Sequence, residues 1–192
     1  MFWSRPLLPQ EWALLDRYFG APMHRDWRRM RIHLRRLGDT RRALSFNGGF
    51  LSFPGYCFEG GDPRQALRLH VPLIAGWLAH EAFHHWQRLQ GVPVTRAALG
   101  LQWRYWWFGE NPYLYASCAS AEALLAQFQS AQVEQQAQMW QDWVAADVRL
   151  QLALGQPAAD ADVVADLQAD CRPWRLVQDW VQRCGKTGGL QA

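Results

Sequence analysis

The sequence predicts an α+β domain, mostly helical, with a small β hairpin ahead of its central helix. Three observations point there. Leu73, Ile74, Trp77, Leu78, Ala82, Phe83, Trp86 and Leu89 recur at three- and four-residue steps, the period of an amphipathic helix over 73–89. Val133, Ala137, Trp140, Val144 and Val148 do the same within a second long helical region, 120–154. Upstream, Ala43-Leu44-Ser45-Phe46 and Phe50-Leu51-Ser52-Phe53 flank Asn47-Gly48-Gly49, a hairpin signal with its turn at the Asn-Gly pair.

The remaining elements follow in order. Pro9-Gln10-Glu11 opens a short amphipathic helix carrying Trp12, Leu15, Tyr18 and Phe19, ended by Gly20-Ala21-Pro22. An arginine-rich stretch, part helix and part extended, leads into β structure over 43–58, and Pro54-Gly55 breaks the strand. Gly60-Gly61-Asp62-Pro63 reads as a loop. Gly91 and Pro93 terminate the 73–89 helix. Residues 91–119 read as irregular and aromatic, with Trp103, Tyr105, Trp106, Trp107, Phe108, Tyr113 and Tyr115. Gly155-Gln156-Pro157 stops the second long helix, and short helices follow near 159–169 and 173–183. The Gly185–Gly189 tail should fray.

At 192 residues the chain is expected to form one domain, 1–192, with room for a real core. Hydrophobic residues at 49% and charged residues at 19% exclude a disordered chain. Twelve tryptophans imply either a core built on large rings or an aromatic surface. Packing is the favoured reading of the Trp103–Trp107 cluster; a cleft wall or a membrane or glycan contact is the other. The start lacks a secretory signal, and no apolar run reaches the ~18 residues that span a bilayer. The expectation is a protein made soluble in the cytoplasm, delivered to a target cell's periplasm or secreted by another route if it acts outside.

The net charge is a mild +3, yet Arg25, Arg28, Arg29, Arg31, Arg35, Arg36, Arg41 and Arg42 fall close together. A solvated face is the favoured reading and no nucleic-acid partner is expected, since no nucleic-acid motif accompanies the run. Among Cys57, Cys118, Cys171 and Cys184 there is no C-x-x-C pair, which argues against a structural zinc knuckle. A helix over 172–183 would hold Cys171 and Cys184 ~20 Å apart, too far for a disulfide. A Cys57–Cys118 bond and four free thiols both stay open.

The chemistry lies in Ala79-His80-Glu81-Ala82-Phe83-His84-His85-Trp86-Gln87, an H-E-x-x-H run inside the predicted helix. Four residues make about one turn, so both imidazoles leave one face and can meet one zinc ion. Glu81 is displaced from that geometry but placed to take a proton from water at the metal. His85 is rotated about 100° from His84, which argues against a ligand role. The H-x-x-G-x-x-H extension of metzincins is missing after His84. A catalytic zinc needs a third protein ligand, with Glu110, Glu122 and Glu134 as candidates. Glu110 lies in a Gly/Asn/Pro loop. Glu122 opens a helix, where a carboxylate is already explained. Glu134 is read as mid-helix beside the apolar face, where a charge needs a partner, and is preferred.

His80-Glu81-Ala82-Phe83-His84-His85-Trp86-Gln87, then Tyr113-Leu114-Tyr115, Phe128 and Glu134-Gln135-Gln136-Ala137, resemble the small zincin-like domains associated with bacterial Rhs elements and type VI secretion spike (VgrG-type) proteins. The resemblance covers roughly 43–150. It implies a gluzincin-type metallopeptidase fold with Glu134 as third ligand. It also implies an effector toxin whose partners include a spike protein or a cognate immunity protein. On this reading Glu81 takes a proton from a water acidified by Zn2+ and returns it to the leaving amine. The substrate would be a peptide, a protein or the peptide of peptidoglycan. Tyr113, Tyr115, His70 and His85 are candidates to stabilise the oxyanion, Tyr115 first. A hairpin strand is a candidate to pair with an extended substrate. Two alternatives stand beside it: an inactive zincin-scaffold binding protein, which would not need Glu81, and an anion- or nucleic-acid-binding module using Arg25–Arg42.

Overall fold

The computed structural model describes residues 3–35, 43–46, 49–97, 107, 111, 113–118, 120–157 and 160–187. Helices dominate, and four short strands make one small sheet: β1 (Ser4–Pro6), β2 (Arg31–Arg35), β3 (Leu44–Phe46) and β4 (Phe50–Pro54), in the order β1-β2-β4-β3. The anticipated hairpin is β3–β4, antiparallel, with Ser45 opposite Leu51. Phe46 pairs with Phe50, so the three residues 47–49 intervene, as the flanking segments require. The Asn47-Gly48 turn lies outside the described residues. Gly49 has the left-handed φ of 81° that such a loop asks of its last residue. β4 ends at Pro54 and a 3-10 turn, Gly55–Cys57, replaces the β structure expected to 58.

The other half of the sheet comes from the chain's start and from the arginine-rich stretch. That stretch is part helix (His24–Trp27) and part strand, β2. β2 runs parallel to β4, with Ile32 opposite Leu51, and antiparallel to β1, with Arg5 opposite Ile32. Arg25, Arg28, Arg29 and Arg31 are exposed; Arg36, Asp39, Arg41 and Arg42 lie outside the described residues.

The first helix, Pro9–Phe19, buries Leu15, Tyr18 and Phe19 and stops at Gly20, φ 79°. A buried ion pair fixes its start. Arg5 Nη1 and Nη2 each donate to Glu11 at 2.6 Å, and the backbone N–H groups of Leu8 and Leu67 donate to the same carboxylate. The charge is thereby fully compensated.

The central helix spans Pro72–Leu89, with Pro72 in its first turn, where a missing N–H costs nothing. It is enclosed on nearly every side: each residue from Leu78 to Gln87 is buried. Phe83 sits at the middle of a ring cluster, 5.0 Å from Trp86, 5.6 Å from Phe128 and from Trp140, and 6.2 Å from Phe19 between centroids. Trp27, Trp86, Trp140 and Trp143 are buried, whereas Trp107 is 66% exposed. Most described tryptophans therefore build core, while Trp103 and Trp106 lie outside the described residues. One apolar cluster reaches from Leu7 to Val181.

The structure corrects the reading at three further places. Residues 94–97 are helical, within a stretch expected to be irregular. The region 120–154 is two helices, Ala121–Ser130 and Val133–Leu154, with extended backbone at Ala131 and Gln132. Downstream helices run Ala161–Cys171 and Trp174–Thr187, so Gly185 is helical rather than frayed. It can be, because it packs against Met23 and the Trp86 indole. None of Cys57, Cys118, Cys171 and Cys184 forms a disulfide.

Candidate metal centre

The central helix and the Val133–Leu154 helix form the most extensive helix–helix contact described, and the site lies between them. One turn apart, the rings of His80 and His84 sit nearly perpendicular with centroids 4.8 Å apart. Glu134 faces both. Its Oε2 is 3.7 Å from His80 Nε2 and 3.5 Å from His84 Nε2. These separations are long for hydrogen bonds. They match donors that share an ion: two atoms ~2.1 Å from a tetrahedral zinc stand about 3.4 Å apart. Among the described residues His80, His84 and Glu134 are a group able to hold a metal, and two imidazoles with one carboxylate are a donor set zinc accepts.

Electrostatics tie the three together. Burial would raise the Glu134 carboxyl, but the facing His80 and His84 imidazoles hold it well below the usual carboxylate range. Burial would lower His84, but Glu134 and then Glu81 outweigh it and raise its pKa. Glu81, 6% exposed, is thus close enough to act on His84 without joining the triad.

Glu134 belongs to the first turn of its helix, not the middle. The break at Ala131-Gln132 puts it at the second helical position, where free N–H groups favour a carboxylate. The reasoning that set Glu122 aside therefore applies to Glu134 as well. What separates them is place: Glu122 is exposed, whereas Glu134 is 9% exposed against two imidazoles. Glu110 lies outside the described residues.

Glutamines that the motif strings contain, but to which sequence reading gave no role, supply a framework. His84 Nδ1 is 2.9 Å from Gln87 Oε1. The Gln87 amide is oriented by its other end, which donates to Val133 O at 3.1 Å and to Gln136 Oε1 at 2.8 Å. Gln87 Oε1 therefore accepts from His84 Nδ1–H, which leaves Nε2 as the ring nitrogen that faces Glu134. Gln136 in turn donates to Phe128 O at 2.9 Å, satisfying a carbonyl at the end of the preceding helix. Gln135 donates to Leu114 O at 2.7 Å and anchors the 113–118 segment. The Trp86-Gln87 and Glu134-Gln135-Gln136-Ala137 strings thus have separate mechanical tasks. The available signal was weak: long polar side chains at positions otherwise flanked by core.

The oxyanion candidates separate by position. Tyr115 donates its hydroxyl to Asp142 at 2.7 Å, and burial with that bond raises its pKa. His70 pairs with Glu59 at 3.2 Å. His85 packs on Trp27, 5.9 Å between centroids, and burial lowers its pKa. Tyr113 is the candidate whose ring lies by the His80–His84 pair, 6.5 Å from His80.

No protein-family model, curated protein or solved structure matches this chain. Among the described residues no helix is long and apolar enough to cross a membrane.

Proposed function

We propose that the chain is a zinc-dependent amide hydrolase of the zincin type, with His80, His84 and Glu134 holding the metal and Glu81 as general base. The observation that carries this reading is the convergence of His80 Nε2, His84 Nε2 and a Glu134 oxygen, all within 4.8 Å of one another. Zinc, when bound, supplies Lewis acidity that acidifies water and polarises a scissile carbonyl. Glu81 accepts the proton and hands it to the departing amine. Gln87 keeps His84 in the ligating tautomer, and Tyr113 is the nearest described hydroxyl-bearing ring for the oxyanion. The resemblance to Rhs- and spike-associated domains supports an effector acting on peptides, proteins or peptidoglycan cross-links.

The test is metal analysis of purified wild type, Glu81→Ala, His84→Ala and Glu134→Ala, beside hydrolysis of a casein and a peptidoglycan-peptide panel. About one zinc per chain is expected in wild type and Glu81→Ala, with activity only in the former. His84→Ala and Glu134→Ala should lose the metal. Equal zinc content in all four proteins would remove the assignment.

A further inference from the structure

A cavity lies further along the Val133–Leu154 helix, away from the histidine pair. Asp147, in its lining, stands thirteen residues beyond Glu134, about 20 Å along the axis, so the two places are separate. Trp143, Asp147 and Gln151 follow at four-residue steps and make one wall. Gln168, Arg172 and Arg175 make the other, from the Ala161–Cys171 helix, the turn after it and the start of the Trp174–Thr187 helix. Trp143 stacks on Trp174, with planes 11° apart, which joins the walls. Arg17 of the first helix completes the lining. The volume is about 530 Å3, within the range of small-molecule sites.

The lining carries three guanidinium groups and one carboxylate. Arg17 and Asp147 satisfy each other: Arg17 Nη2 donates to Asp147 Oδ2 at 2.8 Å, and the buried Tyr18 hydroxyl donates to the same oxygen at 2.7 Å. Arg172 and Arg175 are exposed, and neither side chain has an ion pair or hydrogen bond among the described residues. Two positive charges thus line one concavity with no acid left for them. Like charges held together repel until a counter-ion joins them, and a concave wall concentrates their field. Gln151 and Gln168 add amide donors and acceptors to the same lining.

We propose that this cavity binds a small polar dianion, a dicarboxylate or a phosphate monoester, held by Arg172 and Arg175. Planar guanidinium groups match both kinds of oxyanion. A dianion balances the two unpaired charges, where a monoanion leaves one over. The site is additional to the hydrolase reading and does not depend on it.

Calorimetric titration at constant ionic strength tests this, with succinate and glycerol 2-phosphate as dianions and with acetate and glycerol as controls. Wild type should bind at least one dianion and neither control. Succinate alone assigns the dicarboxylate and glycerol 2-phosphate alone the phosphate ester; binding of both assigns the shared charge. Arg172→Gln/Arg175→Gln should weaken binding about tenfold or more, the size of a lost charge-assisted hydrogen bond. Gln151→Glu, which adds a negative charge to the facing wall and keeps both arginines, should weaken it too. Arg28→Gln/Arg29→Gln, exposed positions outside the cavity, should leave it unchanged. Dianion affinity equal in wild type and Arg172→Gln/Arg175→Gln, or lowered as much by Arg28→Gln/Arg29→Gln, overturns the proposal. Because carboxylates also ligate zinc, the titration is repeated on zinc-loaded and chelator-stripped, dialysed protein. Equal affinity in the two supports the cavity whether or not the metal assignment stands; binding seen only with zinc overturns it.

Discussion

Gln87 bonds at once to His84, to the backbone at the start of the Val133–Leu154 helix and to a side chain one turn further along. Its loss should therefore act on the metal before it acts on the fold. We predict that Gln87→Ala lowers zinc affinity about 10- to 100-fold, the usual cost of removing a ligand's outer partner. Competition with a fluorescent chelator would measure it, and circular dichroism should be unchanged. Gln87→Glu keeps an acceptor for His84 Nδ1–H and should recover most of the affinity; recovery absent would point to the contacts with Val133 and Gln136. The histidine pair and Glu81 were readable because one helical turn fixes their relation. The task of Gln87 was not, since the two partners that orient its amide stand 46 and 49 positions away and no local period reveals them.

At the level of elements, the site depends on how closely two helices approach. Gly76, one turn before His80, marks the tightest point: a Cβ there would lie 2.9 Å from Gln141 Cγ and 3.0 Å from the Gln141 carbonyl oxygen. The side chain can move aside but the carbonyl cannot without shifting its helix. Gly76→Ala should destabilise the protein by about 1–3 kcal/mol, the usual range for overpacking, and weaken zinc binding by parting His80 from Glu134. Urea unfolding beside a zinc titration checks both, and full affinity in a destabilised variant would disconnect the crossing from the site. The two long helical patterns were legible from apolar spacing. The break at Ala131-Gln132 was not, because it has neither proline nor glycine and is held by Gln136 reaching back to Phe128. β1 was not anticipated, because the three residues Ser4–Pro6 show no period; β2 is the extended half of the arginine-rich stretch, and its alternation from Arg31 to Arg35 is a strand signal, but parallel pairing with β4 leaves no turn signal to say which strand it joins.

Across the whole molecule, several ionisable groups are buried in their neutral form. Burial raises the Cys57 thiol to about 12 and Cys171 to about 11, and the Tyr18 and Tyr115 hydroxyls are raised as well. Each keeps its proton more tightly folded than unfolded. Stability should thus be complete below the ordinary thiol range and fall as pH climbs from about 9 toward 12, by up to about 1.4 kcal/mol per pH unit for each thiol. Urea midpoints at pH 7, 9 and 10.5 measure this, and a flat profile would contradict it. Cys57 and Cys171 should also resist a thiol reagent at pH 8 until denaturant is added. Gln87 and Gln136, beside the proposed ligands, are 49 positions apart, so an ion joining the two helices would close a long excursion of chain. It would work as a removable staple, restricting the unfolded polymer much as a disulfide does where the chain's own thiols form none. Stripping it with EDTA should lower the melting temperature by roughly 5–10 °C at saturating metal, and re-adding zinc should restore it.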